Sequence, residues 1–381
     1  MKKCFLMLLI AALMISATAT ADSRVARLGD RLFLSLADAD AQNREEILHV
    51  QSAGDYIYYV VRTKEDSFCD SERLMRINSE GDETEIGPAR LSGGYPEYHQ
   101  GYDDMTVYGD HIYFISTDPA AGSYTAHRGE WDGGDPAIEM TYSLCASLYR
   151  MDLDGGNLRQ LVGDLGNAGA HLAIANDVIA LSSAWANGYY VYNYCDFMRY
   201  DLDGKLIEEI ANTGAERHRF YHREDCEFTC QVSALHTDGE NVYASLADSE
   251  GDFVSGRLTD MRKPDETMVY EAWFTPSLCT EDGFICLTSD AADAFWFEEF
   301  DATVTLQMIN PEGADLLAYV PADFLHYDMR LTLLDGMVYI TAEDRAVRVP
   351  LKGGDVEELI DGAFVVNAAF HPDNYHSSDG E

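Results

Sequence analysis

Residues Leu148 to Leu161 read LYRMDLDGGNLRQL, and this stretch decides how the chain is built. Apolar and polar residues alternate up to Leu153, Asp154-Gly155-Gly156 has the composition of a turn, and Leu158 to Val162 starts another strand. The same phrase returns as LMRINSEG from Leu74, FMRYDLDG from Phe197, LQMINPEG from Leu306 and AVRVPLKG from Ala346. Such recurrence predicts a repeat architecture rather than the two or three domains that length alone suggests.

A second phrase precedes each of these units: small or acidic turn residues, then an apolar, aromatic-rich strand. It occurs as GDYIYYV at Gly54, GDHIYFI at Gly109, ANDVIAL at Ala175, GENVYAS at Gly239, DGFICLT at Asp282 and DGMVYIT at Asp335. Equivalent positions Ile57, Ile112, Val178, Val242, Ile285 and Val338 lie 55, 66, 64, 43 and 53 residues apart. A period of this size, made only of short strands and turns, predicts an all-β fold, a β-propeller of four-stranded antiparallel blades.

Each blade parses as an inner strand A, the aromatic strand B, an Arg-bearing strand C and an outer strand D after the Asp-x-Asp-Gly turn. One such sheet cannot cover both of its faces, so blades must stack and the ring must close. Six repeats predict six blades. GDRLFLSL at Gly29 has the form of a strand B, and FVVNAAF at Phe364 that of a strand A. The two ends are therefore expected to meet in one sheet, which makes a seventh, abbreviated blade the alternative.

The combination of GDxIYY with LYRMDLDGG across most of Arg24 to Phe370 resembles secreted bacterial propellers with low-density-lipoprotein-receptor-like repeats, related in pattern to periplasmic TolB-type propellers. The resemblance implies the propeller fold and, for function, either the binding of proteins or no assigned activity. GRLTDMRKPDE and LQMINPEG depart from the full turn pattern.

Met1-Lys2-Lys3, the apolar run Phe5 to Ile15 and Ala19-Thr20-Ala21 form the pattern of a secretory signal peptide over residues 1–21. The expected organisation is then one propeller over 22–370 and a polar tail over 371–381, in a protein that is secreted or held in the cell envelope. No later stretch is long and apolar enough to predict membrane insertion. With 67 acidic and 26 basic residues the formal net charge is −41, which opposes nucleic acid and anionic lipid and favours cationic partners. Eight cysteines become seven once Cys4 leaves with the leader, and export favours disulfides among these, with one thiol unpaired or paired between molecules. Cys69, Cys145 and Cys195 stand before strand C of successive blades, and Cys279 and Cys286 flank the start of a strand B.

In a propeller the B–C and D–A connections share one face, and here they are the long ones. They hold Tyr95, Tyr98, His99, Tyr102, Trp131, Trp185, Tyr190, Tyr192, His218, His222, Trp273 and Trp296. Aromatic rings with polar handles suit sugars, peptides or protein surfaces, so this face is the expected site for a protein or glycan ligand. Mutual packing beneath the loops, in a plain scaffold, is the alternative. A carbohydrate-active hydrolase or lyase is a third reading, with His99, His218 or His222 assisting Glu97, Asp103, Glu130, Asp132, Glu298, Glu299 or Asp301.

His218, His222, Cys226 and Cys230 recur at intervals of four. Imidazole and thiolate can bind zinc, but the outer pair are too far apart on any regular element, and disulfide use of the cysteines is the expectation. Asp152, Asp154, Asp201 and Asp203 alternate like calcium ligands, yet no loop adds the further oxygens required, and Asp-Gly is ordinary turn chemistry. No nucleophile elbow, HExxH helix, phosphate loop or dinucleotide fingerprint is present. Neither a metal nor a cofactor is expected, and the oligomeric state is not legible.

Overall fold

A computed structural model describes residues 25–28, 31–36, 45–64, 69–88, 90–93, 101–117, 123–127, 139–143, 146–163, 165, 170–187, 190–211, 231–237, 239–247, 252–257, 270–273, 278–280, 282–289, 303–310, 313–321, 330–334, 336–342, 345–361 and 365–369. The expected leader over 1–21 and the tail over 371–381 lie outside them. Among the described residues the regular elements are all strands, and no helix is long and apolar enough to cross a membrane.

The chain opens with β1 (Val25–Leu28) and β2 (Arg31–Leu36). Next come β3 (Glu45–Ala53), β4 (Tyr56–Lys64), β5 (Cys69–Asn78) and β6 (Glu83–Glu85), paired in that order, with β7 (Arg90–Gly93) also on β5. β8 (Tyr102–Tyr108) and β9 (His111–Thr117) are followed by a separate two-stranded ribbon, β10 (Ser123–His127) with β11 (Glu139–Ser143). β12 (Ala146–Asp152) and β13 (Arg159–Val162) then complete the sheet of β8 and β9.

Four further sheets are consecutive antiparallel meanders. The first is β14 (Ala170–Ala175), β15 (Val178–Asn187), β16 (Tyr190–Asp201) and β17 (Leu206–Ala211). The second is β18 (Gln231–Thr237), β19 (Val242–Ala247), β20 (Asp252–Arg257) and β21 (Tyr270–Trp273). The third is β22 (Leu278–Thr280), β23 (Gly283–Ser289), β24 (Val304–Asn310) and β25 (Gly313–Val320), and the fourth is β26 (Arg330–Leu334), β27 (Met337–Ala342), β28 (Arg345–Pro350) and β29 (Glu357–Asp361). Last, β30 (Val365–Ala369) pairs antiparallel with β2 in a three-stranded sheet with β1.

The fold is thus an all-β propeller with antiparallel four-stranded blades, but the count of six such blades, or seven with an abbreviated one, is corrected to five. Five sheets have four strands, whereas the β3–β7 sheet branches to a fifth strand and the sheet joining the two ends has three. The reason is local: a repeated turn phrase specifies a strand pair, but it does not specify how many strands finally share a sheet. One edge strand of each of these sheets, β30, β3, β8, β14, β18, β22 and β26, touches the next in cyclic order around an axis.

Cores lie between neighbouring sheets. Tyr58, Val60 and Leu74 pack against Met105, Val107, Phe114 and Tyr149, and Ile115 and Leu148 against Leu172, Ile174 and Leu181. Period-two alternation supplies both faces of every blade, so burying them requires a blade on either side.

The opening stretch acquires a tertiary role. Arg150 Nη1 donates to Leu202 O in the next blade's turn at 2.9 Å, and Arg76 Nη1 reaches Leu153 O at 3.3 Å in the same way. Gly155 has φ 87° and a Cβ there would lie 2.3 Å from Ile86 O of the preceding sheet; Gly204 repeats this against Leu161 O at 2.8 Å. A left-handed residue without a side chain is what lets each turn dock on its neighbour. The aspartates serve these turns: Asp154 Oδ1 accepts from Gly156 N, Asp201 Oδ1 from Asp203 N and Lys205 N, and Asp203 pairs with Arg150 and Arg159. The Arg159 hydrogen bond chiefly holds the Asp203 carboxyl below its ordinary range.

Candidate functional site

A strand at the inner edge of a blade has backbone groups with no neighbouring strand of its own sheet to pair with. Three of these edges are joined instead by side chains. Gln51 on β3 acts as a peptide mimic: its Oε1 accepts from Val107 N at 2.5 Å and its Nε2 donates to Val107 O at 3.3 Å. Asp104 on β8 does the same toward β14, its Oδ2 accepting from Leu172 N at 2.9 Å while Oδ1 accepts from Met105 N at 2.8 Å. His49 on β3 returns to β8, its Nε2 lying 2.9 Å from Tyr102 O.

Irregular backbone sets these side chains in place. The β3–β4 register shifts between Leu48 and Gln51, and His49 within that bulge has φ 48°, a conformation rare for a residue with a side chain. The β8–β9 register shifts between Tyr102 and Asp104. Strain at a bulge that re-aims a polar side chain marks a functional candidate.

The result is a carboxylate between two imidazoles. His49 Nδ1 lies 3.7 Å from Asp104 Oδ1 and His171 Nδ1 lies 3.8 Å from Asp104 Oδ2. Side-chain exposures of 25% for His49, 19% for Asp104 and 27% for His171 leave all three within reach of solvent. Because a carbonyl can only accept, Nε2 of His49 must carry the hydrogen toward Tyr102 O, and neutral His49 therefore turns a bare Nδ1 toward Asp104.

His236 on β18 is a different histidine. Its Nε2 is sealed from solvent without a hydrogen-bond partner, and its ring meets Phe284 edge-on at 6.3 Å. Burial, aided by the nearby His171, pulls its pKa down to about 4. Among the described residues no group of three or more His, Cys, Asp or Glu is placed to hold a metal ion. The three inner edges are thus joined through polar side chains at one end of the axis, the end where strands A begin and B–C connections leave.

Of the residues expected to bind a ligand, Tyr102 is corrected to a core residue. It is 2% exposed, its ring lies 5.2 Å from that of Phe114, its hydroxyl donates to Pro88 O at 2.5 Å and its N–H donates to Glu72 Oε2 at 2.6 Å. Glu72, itself fully buried, is held by the Arg62 guanidinium at 2.8 Å through both Nε and Nη2. Sequence reasoning put Tyr102 in a loop, whereas it starts strand β8 and its side chain turns inward with Met105 and Val107.

Trp185, Tyr190 and Tyr192 lie on strands rather than in a loop. The last rung joining β14 to β15 is Ala170 with Ser183, yet β15 and β16 stay paired through Trp185 with Tyr194 to Asn187 with Tyr190. Trp273 ends β21 opposite Asp252. Tyr95, Tyr98, His99, Trp131, His218, His222 and Trp296 lie outside the described residues, as do Cys226 and Cys230. Cys286, one of the two cysteines flanking the start of a strand B, is a buried thiol on β23, and Phe284 rather than Cys286 stands opposite Cys279.

His49, Asp104 and His171 were all missed as site residues by sequence reasoning. The available signal was a histidine flanked by apolar residues in a strand A, as His49 in EEILHVQSA and His171 in AHLAIA.

No protein-family model and no curated protein matches the chain. Among solved structures it is similar to the β-propeller domain of the Trilobed protease from Pyrococcus furiosus, with 10% identity over 84% of this chain and 98% of that one, at a TM-score of 0.37. It is also similar to a mutant of Synechocystis apocarotenoid oxygenase, with 14% identity over 82% of this chain and 71% of that one, at a TM-score of 0.34. The class defined by the sheets themselves is a β-propeller.

Proposed function

We propose that the protein is an exported, non-catalytic binding propeller that holds a protein or glycan ligand on the face bearing its long B–C connections. One observation carries this reading. The β15–β16 pair continues four residues beyond the four-stranded part of its blade, about 13 Å at strand rise, and that ribbon contains Trp185, Tyr190, Tyr192 and Tyr194. The β10–β11 ribbon leaves the neighbouring blade in the same B–C connection, with Tyr124 opposite Tyr142. Two ribbons on adjacent blades thus carry aromatic residues on backbone already paired into strands, and such preorganisation lowers the entropy lost on binding. Export rests on the leader pattern over 1–21, and the resemblance to secreted repeat propellers points to the same setting.

The test is capture from the native environment on the purified mature chain, with mass spectrometry of what is retained. Replacing Trp185, Tyr190 and Tyr192 together by Ala should remove a specifically retained species while thermal unfolding stays cooperative. Equal retention by the triple variant sinks the assignment of this face.

A further inference from the structure

We propose that His49, Asp104 and His171 form a proton-operated clasp across the inner strands β3, β8 and β14, tighter in mild acid than at neutral pH. The geometry lacks one proton. His49 Nε2 is committed as donor to Tyr102 O, so the neutral ring presents a lone pair to Asp104 Oδ1 at 3.7 Å. A proton placed on Nδ1 converts that contact into an ion pair without moving either strand. On the other side His171 Nδ1 lies 3.8 Å from Asp104 Oδ2.

Imidazole is the side chain that takes up such a proton in mild acid. With both rings charged, Asp104 is held from β3 and β14 at once, and its acceptor bond to Leu172 N is held with it. Among the described residues, the other titratable or charged groups around the clasp are Asp103 next to Asp104, His236 on β18, and Glu72 with Arg62 beneath Tyr102. His236 opposes the effect, since its buried ring resists a proton and its titration weakens the whole fold in acid. A readout local to the clasp is therefore required.

The fold contains its own control. Val107 N–H bridges β8 to β3 through Gln51 Oε1, a bond with no titrating partner, whereas Leu172 N–H bridges β14 to β8 through Asp104. Amide hydrogen exchange on the full chain, corrected for intrinsic rates, compares the two. Between about pH 7.5 and about 5.5 the protection of Leu172 relative to Val107 should rise about threefold or more, the size expected of two partly exposed ion pairs. The rise should vanish in the His49→Gln/His171→Gln double variant. A constant ratio in the native chain, or the same rise in the double variant, overturns the clasp. Imidazole nitrogen spectra of the native protein give a measurement independent of variants: neutral His49 should carry its hydrogen on Nε2, and a ring protonated on Nδ1 at neutral pH also overturns it.

Discussion

The C–D turns at the rim and the inner strands at the axis solve one problem, joining neighbouring blades, by opposite means. At the rim the connection is permanent. Arg76 and Arg150 carry a charge at every physiological pH, and Gly155 and Gly204 let backbone touch backbone. At the axis the connection runs through Gln51, Asp104, His49 and His171, and three of these four can change charge. The rim solution is repeated from blade to blade, whereas the axial one occurs where β3, β8 and β14 meet. A residue that every repeat needs is explained by building the ring; a polar residue in a single repeat needs another explanation.

The sharpest way to break the rim is Gly155→Ala. The added carbon enters the 2.3 Å gap to Ile86 O at a left-handed φ, and a loss of about 2–4 kcal/mol is expected in denaturant unfolding.

Acid should separate the two regions next. His236 has its folded pKa at about 4, against 6.5 for the ordinary ring, so between these values the unfolded chain binds the extra proton. Stability contributed by keeping this ring neutral is present above pH 6.5 and is lost as pH falls toward 4. The loss should approach about 3 kcal/mol and should flatten in His236→Leu when unfolding is followed across that window.

Arg150→Gln should cost about 1–2 kcal/mol, because the Leu202 carbonyl loses a charged donor. The cost should appear in thermal unfolding without change in the relative exchange of Leu172 and Val107. The smallest effect belongs to Tyr102→Phe, which removes the hydroxyl bond to Pro88 O for about 1 kcal/mol. Ligand retention should be unchanged there, unlike in the Trp185/Tyr190/Tyr192 variant; a loss of retention would return Tyr102 to the binding face.

Much of this fold was legible because its signals are local. The turn phrase at Asp152 to Gly156 and the aromatic strands at Ile57, Ile112 and Ile285 follow from alternation and turn composition, and the meeting of FVVNAAF with GDRLFLSL follows from closing the ring. The sheet count was less legible, since β7 joins β5 through an extension that no repeat phrase announces. Tyr102 was misplaced because aromatic content in a polar stretch reads as exposed until the strand beneath it is known.

From its residues alone the chain determined strands, turns and the need for stacked blades, since period-two alternation and glycine turns act over a few neighbours. The structure decided which polar residues meet. His49 and Tyr102 are 53 residues apart, and Asp104 and Leu172 are 68 apart. Only the packing of consecutive inner edges around one axis brings a carboxylate between two imidazoles there, and gives the Asp-x-Asp-Gly turn its place against the blade before it.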